Sequence, residues 1–231
     1  MIVLTNDDGI DAPGIQALYQ AITRMAGGGT TIGIVAPDQH LSGCSHQINR
    51  GGAISVAQRV GQRYAISGTP ADCTRVAHHL YPKLGWLLAG INDGGNLGAD
   101  TYVSGTVAAV REATLLRVPA IAISHYKSRG MSIDWEVAAH RAARVLKVLM
   151  NKSLEPGQFW NVNLPALATT APEPEIVFCG LCTQPLPIQS SLEAGQFRYT
   201  GAYQDRQRDP GADVDVCFAG NISVSKVSLW G

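Results

Sequence analysis

Four residues of apolar chain, Met1-Ile2-Val3-Leu4, run straight into Thr5-Asn6-Asp7-Asp8-Gly9-Ile10. Asp7 and Asp8 are adjacent carboxylates, and their mutual repulsion is costly unless a cation or a shared proton offsets it. A hard divalent ion held by oxygen ligands is the simplest resolution. A polar turn is the alternative reading, since Asn-Asp-Asp-Gly is also good turn chemistry. Further along, Pro37–His46 is a polar loop in which Ser42, beside Gly43, is placed to come near a bound ion. His46 at its end is either a satisfied polar residue heading the next strand or an acid belonging to a site. Gly90-Ile91-Asn92-Asp93-Gly94-Gly95-Asn96-Leu97-Gly98 then packs four glycines and two asparagines into one loop, a density that implies left-handed backbone and close approach to a ligand. Ser104-Gly105-Thr106 opens a helix behind it. Free N–H groups at a helix start, flanked by hydroxyls, form a phosphate site that needs no net positive charge. Plain N-capping accounts for one of those two hydroxyls but not for the glycine-rich loop before them.

Each stretch needs an element to deliver it. Met1–Leu4 is too short for anything but a buried strand, and a parallel sheet binds ligands outside the carboxyl ends of its strands. Asp11 is placed to cap a helix that has Pro13 in its first turn, repeats apolar residues at Ile15, Leu18, Ile22 and Met25, and ends at Gly27-Gly28-Gly29. Thr31–Ala36 reads as a second buried strand, which completes a right-handed βαβ unit. Ala53–Gln58 and Tyr64–Ser67 read as an antiparallel pair. Thr69, Pro70 and Asp72 mark the start of a helix that reaches about Tyr81, with His78 and His79 on its surface and at interfaces. Trp86–Ala89 and Val118–Ser124 read as strands, and Val107, Val110, Ala113 and Leu116 continue the helix begun at Ser104. Asp134–Met150 is a long amphipathic helix in which His140 is structural, and Phe159–Leu164 is the last clear strand of the block. From Pro165 the composition turns to short β-like runs punctuated by prolines. These include a strand pair within Gly195–Tyr203, a charged loop at Asp205–Asp215 and a final strand at Ile222–Leu229. The expected architecture is α/β, with a core over residues 1–164. Residues 165–231 form a β-rich extension that packs on the core or on a neighbouring subunit.

Bulk properties narrow the function classes. With 18 basic and 18 acidic residues in 231, no strong field draws the chain to a nucleic-acid duplex or an anionic membrane. No run approaches the ~20 apolar residues of a membrane span, and the N-terminus lacks the features of a signal peptide. Five scattered cysteines suit a reducing cytoplasm, and Cys179-Gly-Leu-Cys182 has no second pair with which to complete a zinc site. No G-x-G-x-x-G dinucleotide fingerprint follows the first strand, and no Walker phosphate loop occurs.

Five stretches together resemble the SurE family, the "survival protein" nucleotidases. They are N-D-D-G-I-D-A-P-G at 6–14, A-P-D-Q-H-L-S-G at 36–43, G-T-P-A-D-C at 68–73, G-I-N-D-G-G-N-L-G-A-D at 90–100 and S-G-T-V-A-A-V-R-E-A at 104–113. They stand in the family's order and spacing and cover most of residues 1–125. The resemblance implies a Rossmann-like three-layer α/β/α sandwich with a β-rich C-terminal extension, assembled as a homodimer or homotetramer. It implies a 5′-nucleotidase, a metal-dependent phosphomonoesterase acting on nucleoside 5′- or 3′-monophosphates, with polyphosphate trimmed by some members. Its metal ligands fall on Asp7, Asp8, Ser42 and Asn92, and its phosphate cradle on Asn96, Ser104, Gly105 and Thr106. Two departures stand out: Asp93 occupies a position that is basic in many relatives, and Gly211–Asp215 keeps the glycine and acids of a family run without its threonines.

The mechanism expected on this basis is metal-assisted hydrolysis with one Mg²⁺ or Mn²⁺ ion. A bound water attacks phosphorus in line, and Asp7 or Asp8 takes the water's proton. Two alternatives stand beside it. In one, Asp7 is a nucleophile forming a phospho-aspartate, although such enzymes usually separate their two acids by one residue. In the other, the chain is a nucleotide-binding regulator with no turnover.

Overall fold

The computed structural model describes residues 1–26 and 29–230, so Gly27 and Gly28, expected to end the first helix, lie outside the described residues. The strands are β1 (Ile2–Thr5), β2 (Ile32–Pro37), β3 (Val56–Gln58), β4 (Arg63–Ile66), β5 (Trp86–Asp93), β6 (Ala120–His125), β7 (Gln158–Leu164), β8 (Ile176–Phe178), β9 (Ser190–Glu193), β10 (Gln196–Tyr199) and β11 (Ile222–Ser228). Nine of them form one sheet in the order β3-β4-β2-β1-β5-β6-β7-β11-β8. From β4 to β7 every neighbouring pair is parallel; β3 and β11 run antiparallel to β4 and β7. β9 and β10 form a separate antiparallel pair.

The inner strands are apolar on both faces, as a sheet covered on both sides requires. Ile2, Leu4, Leu88, Ile121 and Ile123 face one layer, made by α1 (Pro13–Ala26) and α5 (Trp135–Leu149). Val3, Leu87, Ala89, Ala120 and Ala122 face the other, made by α2 (Pro70–Leu80) and α4 (Gly105–Leu115). The second face is rich in alanine, and Ala109 and Ala113 of α4 meet it, so small residues on both sides bring this helix close to the strands. A short α3 (Asp100–Val103) leads into α4.

Helix starts follow local chemistry. Thr69 caps α2 in a full capping box with Asp72, and Asp134 caps α5 by accepting from the N–H groups of Glu136 and Val137. Asp11 departs from expectation: α1 starts at Pro13, and the exposed Asp11 carboxylate pairs with Arg63 at 3.2 Å. The strand expected over Trp86–Ala89 continues to Asp93, because β6 offers partners to Asn92 and Asp93 in Ser124 and His125.

The tail also differs in detail. β11 enters the main sheet between β7 and β8. The strand pair is β9 and β10, one strand lying before Gly195 and one after it. The charged stretch Asp205–Asp215 ends inside a helix, α6 (Asp213–Phe218), and Asp213 is fully buried.

Candidate active site

Strand order reverses direction at β1: the chain goes from β1 to β2 on one side and returns to β5 on the other. This is the switch point at which open α/β sheets leave a crevice beyond their carboxyl ends. Asp7 and Asp8 sit just past the end of β1, and Asn92 and Asp93 end the adjacent β5. The Asp93 N–H donates to Asp8 Oδ2 at 3.3 Å, which ties the two strand ends together. The loop after β2 closes over them, its Leu41 N–H donating to the Asp7 carbonyl at 2.8 Å.

Asp7 is buried, and its carboxylate accepts a hydrogen bond from the Thr106 hydroxyl. Burial pushes its pKa up to about 6; the Thr106 hydrogen bond opposes this and the neighbouring Asp8 charge adds to it. Asp8 is also raised by burial, with the Asp93 N–H and His40 opposing; its side chain is 12% exposed and His40 Nδ1 lies 3.4 Å from Oδ1. Gly105 is pressed against this pair. A Cβ there would lie 2.9 Å from both Cβ and Oδ2 of Asp7 and 3.0 Å from Cys44 Sγ, so only glycine lets α4 begin this close. Gly90 is likewise required, with φ of +133° and the Ile123 carbonyl oxygen 2.1 Å from where a Cβ would stand.

The expected site residues divide into three groups. Asp7, Asp8 and Asn92 stand at the ends of the adjacent strands β1 and β5, and the Asn92 amide N–H donates to the Gly94 carbonyl at 2.8 Å. Ser42 lies on the loop that closes over Asp7, with its side chain exposed. The phosphate group of residues is more enclosed than expected. Ser104 Oγ accepts from the Val107 N–H as the cap of α4, Thr106 is spent on Asp7, and Asn96 Nδ2 donates to Ser124 Oγ at 2.7 Å. His46 is a satisfied polar residue, its Nε2 lying 2.8 Å from Glu112 Oε2.

A divalent ion suits this donor set. The donors are oxygens from two carboxylates, an amide and a hydroxyl, which is the chemistry of Mg²⁺ or Mn²⁺ rather than of a thiolate-binding metal. A carboxylate as buried as Asp7, next to a second one, is the group that a cation relieves.

Sequence reasoning gave no role to the residues that brace the glycine-rich stretch. Asp213 accepts from the N–H groups of Gly98 and Cys182, both at 2.7 Å. Buried Arg206 donates to Asp100 Oδ2 at 2.9 Å and to the Leu97 carbonyl at 3.3 Å, and Tyr203 also donates to Asp100. Asp213 was the visible signal, as an acid retained in the Gly211–Asp215 run. Arg206 and Tyr203 had none.

Comparisons with known proteins agree with this architecture. The family model described as "Survival protein SurE" matches residues 2–185. A Nostoc sp. protein provisionally named a 5′-nucleotidase is 50% identical over 229 residues, spanning 99% of each chain. The "5'-nucleotidase SurE" of Citrifermentans bemidjiense is 34% identical over 234 residues, 99% of this chain and 92% of its own. The crystal structure of the SurE protein from Aquifex aeolicus superimposes with a TM-score of 0.83 at 28% identity, covering 99% of this chain and 93% of that one. With adjacent acids at its strand switch point, a sheet covered on both faces by helices and these matches, the chain belongs to the SurE family.

Proposed function

We infer that this chain is a 5′-nucleotidase that hydrolyses nucleoside monophosphates with the help of one divalent ion, Mg²⁺ or Mn²⁺. The observation that carries this reading is the buried Asp7, held beside Asp8 and Asn92 at the strand switch point. Asp7, Asp8 and Asn92 Oδ1 hold the ion, and Ser42 completes the set from the loop above. The ion supplies positive charge to offset what develops on the phosphoryl oxygens, and acidity to the attacking water. Thr106 fixes the rotamer of Asp7, so that carboxylate is a ligand first. Asp8 reaches solvent and has His40 beside it, which makes it the acceptor for the water's proton. The N–H groups at the start of α4 and the Asn96 amide orient the remaining phosphate oxygens. Lys127, 2.8 Å from Asp93, supplies a cation that offsets the acid standing where many relatives are basic.

The test is turnover of p-nitrophenyl phosphate and of a nucleoside monophosphate panel with Mn²⁺ or Mg²⁺, in the parent and in Asp7→Asn and Asp8→Asn. Each substitution is expected to reduce kcat by at least about a hundredfold, the size of effect general-base catalysis commonly supplies. Activity close to the parent in both variants overturns the assignment.

A further inference from the structure

Arg141 stands out among the charged residues because it is buried without a partner. It lies in α5, is 1% exposed and is the bulkiest fully buried side chain among the described residues. The other buried arginine, Arg206, has Asp100 against it at 2.9 Å. Arg141 has no ion pair or protein hydrogen bond among the described residues, and its Nε is buried with no acceptor. The acids nearest to it serve other groups. Asp134 Oδ1 caps α5 through the Glu136 and Val137 N–H groups, and Glu173 engages Arg144 at 2.6 Å and His140 at 3.8 Å. Asp134 and Glu173 act on Arg141 only through space, and a buried guanidinium with no anion hydrogen-bonded to it is costly to keep.

Arg141 lines a crevice of about 460 Å³, counting its open mouth, between the segments that follow β6 and β7 and the start of α5. His125, Tyr126, Lys127, Ser132, Asp134 and Thr169 contribute its other polar side chains. We propose that this crevice is an oxyanion site in which the Arg141 guanidinium receives a phosphoryl group. A planar guanidinium matches two oxygens of such a group at once, and the Ser132 and Thr169 hydroxyls in the lining are neutral donors. The assignment rests on Arg141 and its crevice, and does not depend on the metal site being read correctly. Two sources present the same chemistry: free inorganic phosphate, and a second phosphate on a nucleotide whose first phosphate lies at the end of β5. Strands stand ~4.8 Å apart, so the mouth beyond β6 and β7 is one to two spacings from Asn92, within the span of a nucleoside bisphosphate.

Inorganic phosphate is titrated calorimetrically into the metal-free protein in EDTA. One saturable site is expected, weakened at least tenfold in Arg141→Met and partly kept in Arg141→Lys. No saturable binding to the parent, or equal binding by Arg141→Met, overturns the proposal. Should Arg141→Met fail to fold, crystals of the unaltered protein soaked in selenate decide: an anomalous peak within hydrogen-bonding distance of Arg141 supports the site, and its absence overturns it. The two sources separate in steady-state kinetics of a nucleoside monophosphate and the corresponding 3′,5′-bisphosphate. A rise in KM for the bisphosphate alone in Arg141→Met identifies the substrate's second phosphate. Unchanged KM values with lost phosphate binding identify the free ion. Failure of all turnover would strike the nucleotidase reading and leave the calorimetric result standing.

Discussion

Asp7 couples function to stability with a definite sign. Its pKa rises from 3.8 to about 6 on folding because burial disfavours the charged form. The folded state therefore binds the Asp7 proton more tightly than the unfolded chain does. The Asp7 contribution to the stability of the metal-free protein is lost as pH climbs from about 4 to 6, roughly 3 kcal/mol at 1.36 kcal/mol per pKa unit. A divalent ion competes with that proton, so apparent metal affinity should climb with pH up to about 6 and level off above it. Thermal melts in EDTA and in Mn²⁺ across pH 4–8, for the parent and for Asp7→Asn, check both statements; a parent-minus-variant difference that stays flat with pH in EDTA contradicts them. Asp7→Asn, neutral at every pH, should melt higher than the parent in EDTA above pH 6. Thr106→Val removes the hydrogen bond that lowers the Asp7 pKa, so the acid limb of the activity profile should move to higher pH, read from kcat/KM against pH. From sequence Asp7 was readable as a ligand, whereas Thr106 was read only as a phosphate contact and not as a partner of Asp7. Adjacent acids after a buried strand demand an explanation wherever they sit, whereas a hydroxyl at a helix start satisfies capping rules. Its real partner was visible only once α4 lay against the end of β1.

Between elements, the glycine-rich stretch is half strand and half loop, and it is held from outside. Glycines at 90, 94, 95 and 98 suggest a free loop, but pairing of Asn92 and Asp93 with β6 extends β5 through the first of them. Sheet pairing is a tertiary fact, so the local composition pointed the wrong way. Capping was the opposite case. Thr69-Pro70-Ala71-Asp72 fixes the start of α2 with residues three apart, and the structure agrees with the sequence there. The second half of the stretch depends on Asp213, whose carboxylate takes the N–H groups of Gly98 and Cys182. Asp213→Ala takes the acceptor from three buried donors, the N–H groups of Gly98, Cys182 and Val214, at about 1–3 kcal/mol each. A loss of roughly 3 kcal/mol in urea unfolding is expected. Because Asn96 sits two residues before Gly98, KM for the nucleotide should rise more than kcat falls. An unaltered KM would show that this brace serves the fold alone.

For the molecule as a whole, the unbalanced feature is the β9–β10 hairpin. Among the described residues it pairs with no strand of the main sheet, and a two-stranded ribbon alone is marginal in water. It nevertheless exposes Leu192 at 71%, Phe197 at 57% and Tyr199 at 78%, with Ile188 at 76% just before it. Four such side chains amount to several hundred Å², short of the ~800 Å² per partner that a stable interface needs. A twofold arrangement supplies the rest, because each copy then presents its own hairpin and also the surface that the partner's hairpin covers. We therefore expect a homodimer, or a tetramer built from dimers, in which the hairpin is a contact arm. Light scattering on Leu192→Asp/Phe197→Asp should find a monomer with an unchanged far-ultraviolet circular dichroism spectrum. The charges fall on exposed strand positions that support no core, so loss of assembly without loss of fold is the distinguishing result. Retention of the parent's mass would mean that some other face joins the copies and that the hairpin's apolar surface needs a different explanation.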